Sequence, residues 1–302
     1  MKRPCLARDG LLVLDKPEGL SSTQALGQAK RRLLACKGGH TGTLDPLATG
    51  VLVLCFGEAT KVASFLFDSD KRYRVTVMLG VATDTFDAEG QVVARREVAV
   101  SDRDLAAALE RFVGVIDQVP PRFSAIRRDG KRFYEGARRG DLTEPPSRTV
   151  TIRAITLRER AGDEVVLDVE CGKGTFVRSL AQDLGQTLGC GAHVKALRRE
   201  AVGDFTIDQA VPLAEVGPDT ALLGGDLALS RLPAVAVPAF LAQALRRGQS
   251  IYIGGRDYEG WARLYDDAGG FLGIGWSERG GGIRPKRLWV RGSHVEPLGA
   301  GG

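Results

Sequence analysis

A chain of 302 residues with 43% hydrophobic content is long enough for a real core, and its length sets two domains as the expectation. The formal charge of +5 and the pI of about 9.0 permit an anionic partner without requiring one; the surplus sits in arginine-rich clusters at 30–32, 71–74, 127–128, 131–132, 138–139 and 198–199, suited to phosphate and equally compatible with a solvated basic face. Five cysteines without a C-x-x-C pair read as reduced intracellular thiols rather than a disulfide framework, "MKRPCLARDG" has no apolar signal-peptide core, and no apolar run reaches the roughly 18 residues of a membrane span, so a soluble cytoplasmic protein is expected.

In chain order, "LLVLDKPEGL" (11–20) reads as a strand ended by Pro17 and Gly19. Ser21 or Ser22 caps a helix, "STQALGQAKRRLL", with basic residues near its C-terminal end, where the helix dipole favours them. A Gly/Thr-rich loop, "GGHTGTLDPLATG" (38–50), leads into a strand at 51–56, and "EATKVASFLF" reads as a short amphipathic helix. "RYRVTVMLG" alternates, with Tyr73, Val75, Val77 and Leu79 on one face and Arg72, Arg74, Thr76 and Met78 on the other. "SDRDLAAALERFVG" is a capped helix; residues 120–140 are basic, aromatic and broken by Gly and Pro.

"RTVTIRAITLRE" and "EVVLDVECG" are strands, "GTFVRSLAQDLGQTLG" becomes a helix ending at Gly189, and "HVKALRREAVGDFTI" returns as a strand. Strands and helices mix without a repeating βαβ unit, which gives an α+β fold with a mixed, largely antiparallel sheet. The texture changes at 216–232, which reads as a linker; short Gly-separated β pieces follow, "SIYIGG", "WARLYDD", "GFLGIGW" and "RLWVRG". The expected division is 1–230 and a small β-rich domain at 231–302.

Metal chemistry has little support: three scattered histidines and no zinc spacing. "DTFDAEG" (84–90) lacks the pattern of a calcium loop. "GKGT" is too short for a phosphate-binding P-loop, and no dinucleotide fingerprint follows a strand, so no cofactor is expected. Attention falls on Asp45, the single carboxylate of the 38–50 loop. Pro46 restricts it to extended backbone, and Gly42 and Gly50 let the chain approach a ligand. Its residue pattern fits an Asx-type turn as well as a catalytic acid.

"GGHTGTLDPLATGVL" resembles the catalytic motif of the TruB family of bacterial tRNA pseudouridine-55 synthases. "LLVLDKPEGLSS", "GEATKVASFLFDSDKRYRV", "LGVATDTFDAEG", "FSAIRRDGKRFYEGARRG", "CGKGTFVRSLAQDLGQTLGCGAHVKALRR" and "RPKRLWV" resemble the family's further blocks, in order, over most of residues 11–210. The C-terminal part is similar to a PUA-type RNA-binding module. The resemblance implies a pseudouridine-synthase fold and an isomerase that moves the uracil of a tRNA T-loop uridine from its N1 to its C5 linkage. The cofactor expectation is none, the partner is tRNA, and a monomer is the default.

By the same resemblance Asp45 matches the catalytic aspartate, Tyr73 the active-site tyrosine that stacks on the target base, and Arg178 the arginine that pairs with the carboxylate. His40 matches a histidine that helps hold the turned-out base, Leu197 an apolar pocket wall, and Lys16 and Pro17 the block beside the site. Phe176 stands where many relatives carry tyrosine, keeping the ring and losing the hydroxyl. Arg72, Arg74, Arg138, Arg139, Arg198 and Arg199 are the expected phosphate contacts. The chemical route of Asp45 stays open between attack at C1′, attack at uracil C6 and a glycal path. A non-catalytic RNA-binding protein, or a synthase acting on another RNA, uses the same scaffold.

Overall fold

The computed structural model describes residues 5–123, 127–128, 131–132, 143, 145–255 and 257–289. Its strands are β1 (Gly10–Lys16), β2 (Gly38–His40), β3 (Thr49–Phe56), β4 (Lys71–Leu79), β5 (Val81–Thr83), β6 (Val92–Arg95), β7 (Gly114–Gln118), β8 (Arg127–Arg128), β9 (Lys131–Arg132), β10 (Arg148–Ala161), β11 (Glu164–Cys171), β12 (Ala192–Val202), β13 (Phe205–Thr206) and β14 (Val211–Pro212), then β15 (Ala234–Val237), β16 (Ile251–Tyr252), β17 (Gly260–Asp266), β18 (Phe271–Ser277) and β19 (Gly282–Leu288). The helices are α1 (Ser22–Arg32), α2 (Ala63–Phe67), α3 (Asp102–Glu110), α4 (Val177–Thr187) and α5 (Ala239–Arg246).

The large sheet runs β14-β1-β3-β12-β4-β11-β10-β7, with β2 on β3 and β13 on β12. Within it β1–β14 and β3–β12 are parallel and the other pairs antiparallel. The period-2 alternation expected for residues 72–80 holds: Val75, Val77 and Leu79 are buried while Arg72 and Arg74 are exposed. One face of the sheet packs on α1, α3 and α4 through Ala25, Ala29, Leu105, Leu109, Leu180 and Leu184. Ser21 caps α1 in a capping box with Gln24, and Ser101 caps α3 with Asp104.

On the other face, Leu11, Val13, Val51 and Val53 form a second core with Leu66, Phe205, Leu229 and Ile274. That core joins the large sheet to a C-terminal five-stranded sheet, β15-β17-β18-β19-β16. Trp261 meets Phe65 edge to face at 5.4 Å, and Lys61 Nζ donates to Leu288 O at 2.6 Å.

Four expectations need correction. Residues 216–232 are packed rather than a free linker: Leu11 and Leu223 exchange both backbone hydrogen bonds at 2.8 Å, and Ala228 and Leu229 are buried. Residues 58–67 do not form one helix; a 3-10 turn (Gly57–Lys61) precedes α2. The last strand, β19, starts at Gly282, well before "RLWVRG" (287–292), of which residues 290–292 lie outside the described residues, and β15 and α5 stand where the sequence carries no expected element. Cys5 and Cys36, 31 residues apart, form a disulfide, while Cys55, Cys171 and Cys190 are free and buried. Backbone pairing brings those two together: Leu6 N donates to Leu34 O and Cys36 N to Leu6 O.

One glycine is demanded by the sheet. Gly50 has φ of +95°, and a Cβ built on it lies 2.2 Å from Arg199 O across the β3–β12 pair. Gly50→Ala therefore combines a left-handed backbone with a main-chain clash. It should lower stability by at least ~1–3 kcal/mol, read as a fall in the thermal midpoint. An unchanged midpoint would mean that the two strands separate there freely. No helix among the described residues is long and apolar enough to cross a membrane.

Candidate active site

The loop carrying Asp45 is pinned on both sides of that residue. Before it, the buried Ser22 hydroxyl accepts from Leu44 N at 2.7 Å and donates to Leu44 O at 3.0 Å. After it, Pro46 O accepts from Gly19 N at 2.8 Å and from Lys16 Nζ at 3.3 Å. Thr41 N and Oγ1 both bond Val53 O. These anchors are backbone groups and the side chains of Ser22, Lys16 and Thr41, so the carboxylate of Asp45 takes no part in holding its own loop among the described contacts.

Arg178 reaches this carboxylate from the first turn of α4. Gln118 fixes that turn, accepting from Phe176 N at 2.7 Å and donating to Phe176 O at 3.1 Å; Ser179 Oγ donates to Val119 O. The Arg178 side chain is 6% exposed. Its Nε lies 2.9 Å from Asp45 Oδ2, its Nη1 lies 3.2 Å from Asp87 Oδ2 and donates to Thr85 O, and its Nη2 donates to Phe123 O at 2.9 Å. The arginine does not grip both oxygens of Asp45: its fork is divided between two carboxylates and two carbonyls.

Asp87 is the site residue that sequence reasoning missed. It is 3% exposed and sits in the 84–90 loop, where Phe86 holds a left-handed φ of +64°. Phe86 O accepts from Val194 N, which ties the loop to β12. Asp87 Oδ1 accepts from Thr85 Oγ1 at 2.6 Å and from Glu89 N at 3.1 Å, which leaves Oδ2 for Arg178. The available signal is its place in a turn rich in Asp, Thr and Gly, within the "LGVATDTFDAEG" block.

Asp45, Tyr73, Phe176, Arg178 and Leu197 border one pocket of about 410 Å³, a volume suited to a small organic ligand or a single nucleobase. Lys71 and Arg148 border it too. Arg148 lies over the Phe176 ring at 5.6 Å, and its buried Nε has no hydrogen-bond partner among the described residues. Burial pushes the Tyr73 phenol up, with Arg199 opposing, so it is neutral at physiological pH. Burial and Arg199 together lower His40.

Of the remaining expected residues that the structure describes, Arg199 alone borders this pocket. His40, Lys16 and Pro17 do not border the pocket; Lys16 and Pro17 line a separate depression with Asp15 and Arg198. Lys16 supports the loop from beneath. Arg72, Arg74 and Arg198 alternate with Tyr73 and Arg199, so they project from the other face of the sheet. There Arg74 pairs with Asp168 and Arg198 with Asp15. Arg199 is 1% exposed and donates to backbone carbonyls, which removes it from the expected phosphate contacts. Arg138 and Arg139 lie outside the described residues.

Lys16 Nζ also donates to Pro17 O at 2.8 Å and Leu20 O at 2.6 Å. Burial lowers its ammonium to about 8 from an ordinary 10.5, with Asp45 opposing. Between those values the unfolded chain holds the proton and the folded chain does not. This group therefore makes stability rise with pH across that window, and its charging penalty is fully present below it. Lys16→Met should flatten the rise, measured as denaturant midpoints at about pH 8 and about pH 10. An identical pH slope in both proteins would remove Lys16 as its source.

The architecture is that of the pseudouridine-synthase fold. An H/ACA RNP bound to a substrate RNA containing 2'-deoxyuridine shares that fold with a TM-score of 0.72 and 21% identity, over 94% of this chain and 86% of the other. A Cbf5-Nop10-Gar1 complex gives 0.71 and 24%, over 93% and 85%.

The chain belongs to the TruB family of pseudouridylate synthases. The TruB family pseudouridylate synthase N-terminal domain matches residues 30–177, the tRNA pseudouridylate synthase B C-terminal domain 178–226, and the pseudouridine synthase II TruB C-terminal domain 233–289. It is 46% identical to tRNA pseudouridine synthase B of Pseudomonas paraeruginosa, over 95% of this chain and 98% of that protein. It is 47% identical to tRNA pseudouridine synthase B of Burkholderia mallei, over 96% and 98%.

Proposed function

We propose that this protein is a tRNA pseudouridine synthase that isomerises the T-loop uridine at position 55, with Asp45 as the catalytic aspartate. The observation that carries the reading is the Asp45–Arg178 contact at the wall of a base-sized pocket. In the reaction the N1–C1′ bond of uridine breaks, the C5–C1′ bond forms and the C5 proton leaves; nothing is oxidised and no outside group is added.

The base must leave its stack to enter the pocket, which costs a few kcal/mol. Tyr73, Phe176 and Leu197 supply stacking and apolar contact to offset it. Arg178 occupies Oδ2 of Asp45, leaving Oδ1 outside the ion pair for the nucleotide. Lys71 and Arg148, at the pocket wall, take the place of Arg72, Arg74, Arg198 and Arg199 as the cations nearest the entering phosphates. Residues 231–302 act as an RNA-binding module, and the enzyme works as a cytoplasmic monomer.

Mapping pseudouridine in tRNA from cells with and without the gene tests this reading. Loss of pseudouridine at position 55 alone is the expected result. Intact modification at that position would overturn it, and loss at an RNA other than tRNA would redirect it.

A further inference from the structure

Arg199 is a buried cation that the reaction as described does not use. It is 1% exposed, yet no carboxylate lies within ion-pair distance of it among the described residues. Its Nε donates to Val51 O at 2.7 Å, its Nη2 to Gly42 O at 3.3 Å and its Nη1 to Thr43 O at 3.5 Å. Burying a full charge against dipoles alone is unfavourable. A purely structural brace for two carbonyls of the Asp45 loop does not require a cation.

The opposite strand supplies its further partner. Arg199 and Tyr73 face each other directly in the β12–β4 ladder and both border the pocket, and the three bonds of Arg199 to carbonyls leave two of the five guanidinium N–H groups free to turn toward that ring. A guanidinium carries donors only, and a phenol carries one proton. A bond between two such groups runs only from Arg199 to the phenol oxygen, which leaves the phenol's own proton to find an acceptor elsewhere. The same guanidinium touches the loop that carries Asp45, so one side chain sets the position of both walls.

We propose that Arg199 is a positioning residue for this reaction, which fixes Tyr73 as a hydrogen-bond donor toward the pocket, aimed at an oxygen of the turned-out nucleotide. The inference rests on the proposed function for its substrate. When the N1–C1′ bond breaks, its electron pair stays with the uracil. A phenol donor backed by an uncompensated cation stabilises that electron-rich state without giving up its proton.

The test is a double-mutant cycle read as single-turnover pseudouridine formation at saturating tRNA. Arg199→Lys should slow the wild-type background by about ten- to a hundredfold, the scale of a hydrogen bond to a charged group. In a Tyr73→Phe background the same change should add less than about twofold, because the hydroxyl it acts through is gone. An equal loss in both backgrounds would overturn the proposal and leave Arg199 as a brace for the loop.

A second readout needs no RNA. The tyrosine Fermi doublet in the Raman spectrum, taken as the difference between the protein and Tyr73→Phe, distinguishes an accepting phenol from a donating one. It should show a strong acceptor in the wild type and lose that signature in Arg199→Met; an unchanged signature would also overturn the proposal. A wild-type protein that makes no pseudouridine would instead count against the proposed function, and the Raman result would still decide the Arg199–Tyr73 pairing. Should Arg199→Met fail to fold, Arg199→Lys carries the cycle.

Discussion

Asp45→Asn is expected to lower single-turnover pseudouridine formation by about four orders of magnitude or more, as loss of a reacting group does, while tRNA affinity stays within about a few fold. The separation follows from how the loop is held. Leu44 is fixed by Ser22, and Pro46 O by Gly19 N and Lys16. These contacts survive the substitution, and Asn keeps the size of the side chain. What disappears is the charge. Substantial turnover by the variant would exclude Asp45 as the reacting carboxylate; a large loss of affinity would mean that it mainly shapes the RNA site.

Arg178→Ala has the second-largest expected effect and acts on both stability and rate. Removing the guanidinium leaves Asp45 and the buried Asp87 without their cation, and Thr85 O and Phe123 O without a donor. Breaking such a buried arrangement costs on the order of 3–5 kcal/mol. Each ~1.4 kcal/mol that falls on the transition state is a further tenfold in rate. Arg178→Lys should recover little, because one ammonium cannot serve four partners spread around a planar fork. Saturating tRNA should not rescue either variant. Arg74→Ala is the contrast: its ion pair with Asp168 lies on the other face of the sheet, and its saturated rate should match the wild type. A normal saturated rate for Arg178→Ala would end the paired-carboxylate explanation.

Strand periodicity carried much of the fold. The alternation around Tyr73 foretold which side chains of β4 are buried, and the Ser caps of α1 and α3 marked their starts. The same alternation separates Arg198 from Arg199, although their place in one basic cluster makes both look like phosphate contacts. Charge clustering in sequence says nothing about face; on a strand, neighbouring arginines point to opposite sides. Register with β4 is what places Arg199 beside Tyr73 and Arg198 beside Arg74.

Asp87 stayed hidden for a related reason. Its value lies in meeting Arg178 across 91 positions of sequence, through a loop tied to β12 and strained at Phe86, and no local pattern encodes that meeting. Likewise Cys5 and Cys36 meet through backbone pairing rather than a spacing motif. Helix α5 is only eight residues long and is capped by Asp267, 28 residues further on, rather than by Pro238 before it, so it lacks the usual local start signal. Of the residues recognised through the family resemblance, Asp45, Tyr73, Phe176, Arg178 and Leu197 border a single pocket, while His40, Lys16 and Pro17 do not. Their roles are a separate matter from their meeting.

The most direct measurement is release of a C5 tritium label from a tRNA transcript labelled at the T-loop uridine alone, followed in a single turnover with purified protein and no added small molecule. Complete release by the wild type, with none above background for Asp45→Asn bound to the same RNA, is the expected result. No release by the wild type, or equal release by both proteins, would contradict a uridine isomerase built around Asp45.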